Sequence, residues 1–352
     1  NSLGLSHAAL MAAAFGAEDG GSGEVLPGIV AGLSTGSSGS RGLFVASAAE
    51  RADYIGQSLA RLLPVRALLR SHRIALFLRA NSRIYSDVGT ARVSFRHFGL
   101  DKQPAALSDF NPTIIIAPAH KLLEIAQANH GSTRPFPALR HLFSGSEPMS
   151  AAERRWIAER LSVRPDPIYQ ATEGFLGGAC RHGQLHLNDH AMAIELEPVP
   201  GTTGFRPIIT DLHRHSQPIV RVRGDDYLEL DPAFDTDHPC PCGYAGRVIA
   251  PVGGRVNALW RFAERTITPG AVADHLDGVL GVPTRWMAQG SAQSITLTID
   301  PSTLPANRQS PQDCASAIVA DPFFPAPVTI TFTPVAAPDA AQSPKRNRVC
   351  WT

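Results

Sequence analysis

No stretch of this sequence carries the roughly 20 consecutive apolar residues that a membrane-crossing helix needs. The opening NSLGLSHAALMAAAFGAEDG has no charged segment leading into a sustained apolar core, so it does not read as a secretory leader. Neither sign of charge is in excess: 32 Lys and Arg stand against 31 Asp and Glu, a formal net charge of +1. That balance gives no electrostatic footprint for nucleic acid or for an anionic membrane. Cysteine is scarce, five in 352 residues, too few for a disulfide scaffold. Internal repeats and long low-complexity segments are lacking as well. What remains is an ordinary globular composition, 43% hydrophobic and 18% charged, and a cytoplasmic location is expected. The length favours a large domain with a smaller one.

Along the chain, strand-like and helix-like patterns alternate. After a helix-like opening, the small-residue stretch GLSTGSSGSRG (32–42) precedes AAERADYIGQSLARLLPVRALL, whose apolar residues recur at helical spacing. β-Rich runs follow at RIALFL (73–78), TIIIAP (113–118), LRHLFSG (139–145) and DPIYQA (166–171), with the helical patterns AHKLLEIAQAN and SAAERRWIAERL among them. This alternation predicts a layered α/β domain. From about Leu185 strand patterns dominate, in AMAIELEPV, FRPIITDL, QPIVRVRGDDYLEL and GRVIAPVGGRV, which predicts a β-rich subdomain. Beyond GGRVNALWRF the pattern restarts, with PGAVADHLDGVLG and PQDCASAIVAD as helices and SITLTID and PVTITFTPV as strands. The expected division is a core over 1–255, a hinge at 256–262 and a small, mobile α+β domain over 263–352.

A phosphate cradle needs backbone N–H groups converging on one point, little side-chain bulk, and hydroxyls as extra donors. Ser34, Thr35, Gly36, Ser37, Ser38, Gly39, Ser40 and Gly42 have that make-up, but neither G-x-x-x-x-G-K-[ST] nor G-x-G-x-x-G is present. The alternative is a flexible connector. Arg41, the one cation of the stretch, would steady an anionic ligand or face solvent. In IYQATEGFLGGAC (168–180) a strand runs into Thr172 and Glu173. Residues just past the carboxyl end of a strand line the ligand crevice of an α/β sheet, so Glu173 is placed to hold a divalent cation on a phosphate. Thr-Glu is equally a helix N-cap pattern. Asp225 and Asp226 interrupt a predicted strand pair and would hold a ribose diol or form a solvated turn. Cys180 and His186, with Cys240 and Cys242 of HPCPCGYAGR, are two distant pairs of soft ligands suited to a tetrahedral structural Zn²⁺. The C-x-C spacing is tighter than the usual C-x₂-C, His182 and His238 are rival ligands, and the alternative is a set of reduced thiols beside the sheet. Cys314 and Cys350 carry no assigned role.

In this order the stretches resemble the adenylate-forming superfamily of acyl- and aryl-CoA synthetases and adenylation domains. STGSSGSRG is similar to its phosphate loop, YQATEG to its Tyr-Gly-x-Thr-Glu motif, TDL…PIVRVRGDD to its ribose-binding segment and GGRV to its hinge motif. The pattern C-x₅-H…C-x-C-G and the closing SPKRNRV point to the phenylacetate-CoA ligase branch and its coenzyme F-three-ninety synthetase-related members. The resemblance runs from Gly32 to Val349. It implies the fold set out above and ATP-dependent activation of a small, aromatic carboxylic acid as its acyl-adenylate, with release of pyrophosphate. Transfer to CoA, a carrier-protein thiol or an amine would follow, in secondary metabolism.

By this resemblance Ser34, Thr35, Gly36, Ser37, Ser38 and Gly39 wrap the β- and γ-phosphates of ATP, and Thr172 meets the α-phosphate. Glu173 binds Mg²⁺, Asp226 holds the ribose, Arg255 belongs to the hinge motif, and Lys345 contacts the developing acyl phosphate. The acid would lie among His120, Phe143, Ser144, Gly145, Tyr169 and Phe175, whose aromatic walls suit a flat aryl acid. His120 would meet a polar substituent or be structural, and Glu147 is expected at a helix N-terminus. Members of the branch that share Cys180, His186, Cys240 and Cys242 can bind zinc there. In-line attack of a carboxylate on a phosphate brings two anions together, so cations and fixed donors are needed where charge builds up. A lysine on a detachable domain meets that need and lets the site open. Three departures leave other readings open: Gln170 replaces the motif's Gly, Asn257 replaces the Asp of the hinge motif, and the Glu-Gly that precedes the family's lysine motif is missing. These readings are a non-catalytic nucleotide- or acyl-adenylate-binding relative, a zinc-stapled structural protein, and, for Lys345, a plain basic tail. A homodimer is neither required nor opposed by the sequence.

Overall fold

The computed structural model describes residues 3–18, 20–34, 41–78, 92–100, 106–132, 134–305, 310–336 and 346–352. Helix α1 (His7–Glu18) packs on an antiparallel sheet of β1 (Glu24–Leu26), β2 (Ile29–Leu33) and β3 (Leu43–Ser47), burying Leu10, Ala14, Ala31 and Val45 between them. Strand β3 runs straight into α2 (Ala48–Leu62), where Ser47 and Glu50 form a reciprocal capping box that satisfies two helix-end amides. A short helix α3 (Val65–Leu68) follows.

The central sheet is built from β4 (His72–Leu78), β5 (Val93–Gly99), β6 (Ile114–Ala117), β7 (His141–Ser144) and β8 (Pro165–Ala171), all parallel, in the order β5-β4-β6-β7-β8. Helices α4 (Ala106–Phe110), α5 (Ala119–Ala128) and α6 (Ala151–Leu161) lie between these strands in sequence. The two-residue period of a strand sends neighbours to opposite faces. Ile115 and Leu142 join Leu122, Ile125 and Ile157 under α5 and α6, whereas Ile114 and Phe143 pack against Leu59, Leu62 and Leu63 of the α2 side. Both faces are therefore covered, as a parallel sheet requires.

At β8 the sheet turns antiparallel and continues through β9 (Gly174–Ala179), β10 (Leu185–Leu187) and, after β11 (Met192–Pro198), β12 (Phe205–Asp211) and β13 (Val222–Arg223), through β14 (Val248–Ile249). Strands β11, β12 and β13 form their own antiparallel sheet, and Leu176, Leu187, Met192, Ile194 and Ile209 fill the space between the two. The C-terminal part holds the pair β15 (Trp260–Arg261) and β16 (Thr266–Ile267), helix α7 (Pro269–Leu280), strands β17 (Trp286–Gly290) and β18 (Ile295–Ile299), helix α8 (Pro311–Ala320), and strands β19 (Val328–Phe332) and β20 (Val349–Trp351). Its four-stranded sheet, β19-β18-β17-β20, closes over a separate core in which Trp260 and Trp286 are fully buried. That core begins at Trp260, while Val256 and Leu259 still pack on Val199 and Tyr227, so the change of core falls within 256–262.

Two stretches differ from their sequence patterns. GFLGGA is a fully buried strand despite three glycines, because a Cβ at Gly177 would lie 2.5 Å from the His186 carbonyl oxygen and one at Gly178 2.8 Å from Leu62. QPIVRVRGDDYLEL is not a strand pair: only Val222–Arg223 is a strand, Arg221 sits at φ 48°, and Asp226, Leu228 and Leu230 each make a single bridge.

Candidate active site and metal centre

A cleft of about 1700 Å³ opens at the carboxyl ends of β7 and β8 and runs between the large sheet and the C-terminal part. Ligands of open α/β sheets bind at such strand ends. Thr172 and Glu173 form the tight turn from β8 into β9 and line the cleft, so they do not cap a helix. The Glu173 carboxylate makes no hydrogen bond or ion pair among the described residues, which leaves its oxygens available to a cation. Across from this turn lie Ser34 and Gly42, the two ends of the Ser/Gly stretch. They are joined by Ser34 N to Gly42 O at 2.7 Å and Gly42 N to Ser34 Oγ at 2.8 Å. Thr35, Gly36, Ser37, Ser38 and Gly39 lie outside the described residues, as does Lys345. Arg41 neither faces solvent nor points freely at a ligand: it pairs with Glu18 of α1 and donates from Nε to Ser34 O at 3.0 Å.

The turn and the neck of the Ser/Gly stretch are bracketed together by residues 214–217. Arg214 Nη1 donates to Thr172 O at 2.7 Å and Nη2 to Val45 O at 3.3 Å, while Gln217 accepts from Val45 N at 2.9 Å and donates to Leu43 O at 3.1 Å. Glu50 fixes this bracket by accepting from the His215 and Ser216 amides and the Ser216 hydroxyl. Burial alone would raise the Glu50 carboxyl, but the bonds from Ser216, Ser47 and His215 bring it down to about 2.

Asp226, not Asp225, faces the sheet: Tyr169 Oη donates to its Oδ2 at 2.9 Å, and its backbone pairs with Arg255, which also lines the cleft. Asp225 is largely exposed and lies 3.6 Å from Arg206. Burial first, and then Asp226, push the Tyr169 phenol well above its ordinary value, so the hydroxyl stays a donor. Of the six residues assigned to an acid pocket, Ser144, Tyr169 and Phe175 line the cleft. His120, Phe143 and Gly145 are not among its lining residues. Phe143 points to the α2 side as the alternation of β7 demands, and His120 is engaged by Glu147 through both its amide, at 2.6 Å, and Nδ1, at 3.0 Å. Tyr54 packs edge-on against Phe175, ring centroids 6.3 Å apart, and joins Phe44 and Met149 in supplying aromatic and apolar wall.

Glu147 precedes α6 and is not part of it; the N-terminal cap of that helix is made by Ser150 with Glu153. Instead Glu147 accepts from the Arg346 amide at 3.0 Å and from Arg346 Nε at 3.2 Å, and Arg346 continues to Glu153, which also meets Arg348 at 3.3 Å. Arg348 pairs in turn with Asp277 of α7 at 2.9 Å. Burial raises the Glu147 carboxyl, but Arg346 and His120 outweigh it and hold it at about 2. Asp277 is shifted the other way, by burial and by Glu153 against the relief from Arg348. A carboxyl lowered by folding stabilises the native state above its unfolded value and loses that stabilisation as pH falls through the folded one. For Glu147 this is on the order of 3 kcal/mol at neutral pH, lost between about pH 5 and pH 2. The melting temperature is therefore expected to fall across that range, with a flatter profile in Glu147→Gln.

Cys180, His186, Cys240 and Cys242 bring their ligand atoms within 4.8 Å of one another. A tetrahedral zinc with bonds of about 2.3 Å to sulfur and 2.0 Å to nitrogen has edges of roughly 3.8 Å between sulfurs and 3.5 Å from sulfur to nitrogen. Cys180 Sγ to Cys240 Sγ is 3.9 Å and Cys242 Sγ to His186 Nε2 is 3.5 Å. His186 Nδ1 is 2.7 Å from Gly246 O, which turns Nε2 toward the thiols as a metal-binding imidazole requires. The donor set, the spacing and this orienting bond all fit Zn²⁺. His182 and His238 are outside the cluster.

No family model and no curated protein matches the chain. Solved structures do. The chain superposes on 2-hydroxyisobutyryl-CoA ligase in its postadenylation state with 2-HIB-AMP at a TM-score of 0.66 and 16% identity, over 90% of this chain and 73% of that one. A benzoate CoA ligase from Burkholderia xenovorans matches at 0.60 and 13%, over 88% and 66%, and an anthranilate CoA ligase with anthranoyl-AMP at 0.59 and 14%, over 87% and 64%. Two other forms of the first ligase, an open one and a thioesterification state, match at only 0.51 each, with 15% identity and over 88% and 91% of this chain and 73% of theirs. The chain has the fold of adenylate-forming enzymes.

Proposed function

We propose that the chain is an adenylate-forming acid ligase of two parts, a core and a smaller C-terminal domain joined within 256–262. It activates a small aromatic carboxylic acid with ATP and passes the acyl group to CoA or another thiol or amine acceptor. One observation carries this reading: the Thr172–Glu173 turn, the neck of the Ser/Gly stretch, Asp226 and Arg255 converge on a single cleft at the sheet's carboxyl ends. Thr172 and the Ser/Gly stretch supply donors for the phosphates, Asp226 takes the ribose while Tyr169 fixes its second oxygen, and Glu173 is the carboxylate for Mg²⁺. Bound there, the ion would offset the charge that builds on the phosphates. Lys345 is assigned to the acyl phosphate. Tyr54, Tyr169 and Phe175 favour an aryl acid over a charged one. Cys180, His186, Cys240 and Cys242 are assigned to a structural zinc that ties β9 and β10 to the loop before β14.

ATP–pyrophosphate exchange across a panel of aromatic acids tests the reading. Exchange with at least one acid supports it; ATP binding with silence for every acid points to a non-catalytic nucleotide-binding relative. Gly42 offers a second test, because a Cβ there would lie 2.8 Å from Thr172 Oγ1 and 3.3 Å from Ser34 Oγ. Forcing the two apart displaces donors by a fraction of an ångström to an ångström, and Gly42→Ala is expected to lower exchange by roughly tenfold to a hundredfold with the fold intact.

A further inference from the structure

The last residues of the chain are held in a socket. β20 adds in parallel to β17 of the C-terminal sheet, yet Arg346 before it reaches out of that part into the core, and Arg348, paired with Asp277 of α7, also meets Glu153 of the core at 3.3 Å. Arg346 is 12% exposed at its side chain, and the carboxylates that receive it, Glu147 and Glu153, are 2% exposed each. The Arg346 backbone amide is taken as well. A tail lying on a surface would engage neither its backbone nor two buried anions. Among the described residues, without the arm the Glu147 carboxylate would keep only His120 and the Glu153 carboxylate only the Ser150 amide, so the core is built to require it. A separate contact joins the same faces: Ala151 N, at the start of α6, donates to Asp274 of α7 at 2.7 Å. The arrangement so held is the one that superposes better on a postadenylation ligase than on open or thioesterification forms of the same enzyme.

We propose that Glu147 and Glu153 are a latch that receives Arg346 and Arg348 and holds the C-terminal part in the adenylate-forming arrangement, so that letting go of this arm limits any later acceptor step. Glu147 is thus a positioning residue, not a catalytic one: Arg346 directly follows Lys345 in the chain, and seating the arm sets where that segment begins. The catalytic consequence rests on the ligase reading; the latch itself needs no substrate to be tested.

Limited trypsin digestion of the full chain, followed by mass spectrometry, reads cleavage after Arg346 and Arg348. The wild type is expected to resist there. Glu147→Gln and Glu153→Gln each accelerate cleavage at these two bonds by about tenfold or more, because the arm spends more time undocked while the remainder still melts in one transition. Arg346→Lys, which keeps the charge and loses the fork, gives a smaller increase and serves where a carboxylate variant does not fold. In exchange assays the same variants slow adenylate formation with little change in KM for ATP, whereas transfer of preformed acyl-adenylate to a thiol is as fast as in the wild type or faster. Unchanged cleavage in folded variants overturns the latch, and so does equal slowing of both half-reactions. Faster cleavage in a protein that exchanges with no acid supports the latch and counts against the ligase reading instead.

Discussion

With zinc assigned to Cys180, His186, Cys240 and Cys242, its removal is expected to destabilise the core around them. One equivalent of zinc should be found in the purified protein. Cys240→Ser, or prolonged exposure to a strong chelator, should lower the melting temperature by about 10 °C or more. The reason is structural. Cys180 follows β9 and His186 lies in β10, while Cys240 and Cys242 belong to a loop nearly sixty residues further on, and what packs around them is a small cluster of Val248 with part of Phe234 and the Tyr244 ring against His186. With so little apolar surface, metal–ligand bonds at this cluster would contribute free energy directly to folding. A loss of about 4 kcal/mol, the effect of a ligand present at 1,000 times its dissociation constant, corresponds to a drop of roughly 8–16 °C in a domain of 150–250 residues. Cys314→Ser, in a different core, is the control that should leave zinc content unchanged. Zinc-free protein with a wild-type melting curve in Cys240→Ser would show that these are only packed thiols.

Glu173→Ala is expected to abolish turnover without loss of fold. Its side chain sits on a two-residue turn, lines the cleft and makes no hydrogen bond or ion pair among the described residues, so truncation costs the folded protein little. On the ligase reading two anions must meet, and a carboxylate that positions a neutralising cation would act where charge accumulates. Loss of one preorganised electrostatic group of this kind typically costs about 100- to 1,000-fold in rate, and a fall in exchange of that size is expected. Glu173→Asp should recover part of the rate at raised Mg²⁺ concentration, a response that a merely structural residue would not give. Exchange in Glu173→Ala equal to the wild type would remove this residue from the site.

The sequence determined a good deal. The helices and most strands were legible because amphipathic periodicity, capping residues and short β-branched runs are local signals, as in TIIIAP for β6, PGAVADHLDGVLG for α7 and SITLTID for β18. The order of the Ser/Gly stretch, the Thr-Glu turn, the Asp pair and the closing basic segment was equally readable, and Cys180, His186, Cys240 and Cys242, which the sequence singles out as soft residues at short spacings, are brought together by the fold as a group that could hold a metal. Strand β9 was not legible, because its glycines are there to admit the His186 backbone and the α2 side chain of Leu62, neighbours that only the folded sheet supplies.

Only the tertiary structure decided what Glu147, Glu153 and Arg214 do. Glu147 and Arg346 are 199 residues apart, and Arg214 reaches β3 across 169. No periodicity or spacing encodes such a pair, and a buried charge chooses its partner by desolvation, which depends on everything that packs around it. The same reason keeps His120 and Phe143 off the lining of the cleft: a strand position faces one side or the other by the pleat, and a histidine beside a buried carboxylate is claimed by it. Sequence thus specified the chemical groups and their order, while packing selected which of them face the cleft and which hold its two halves together.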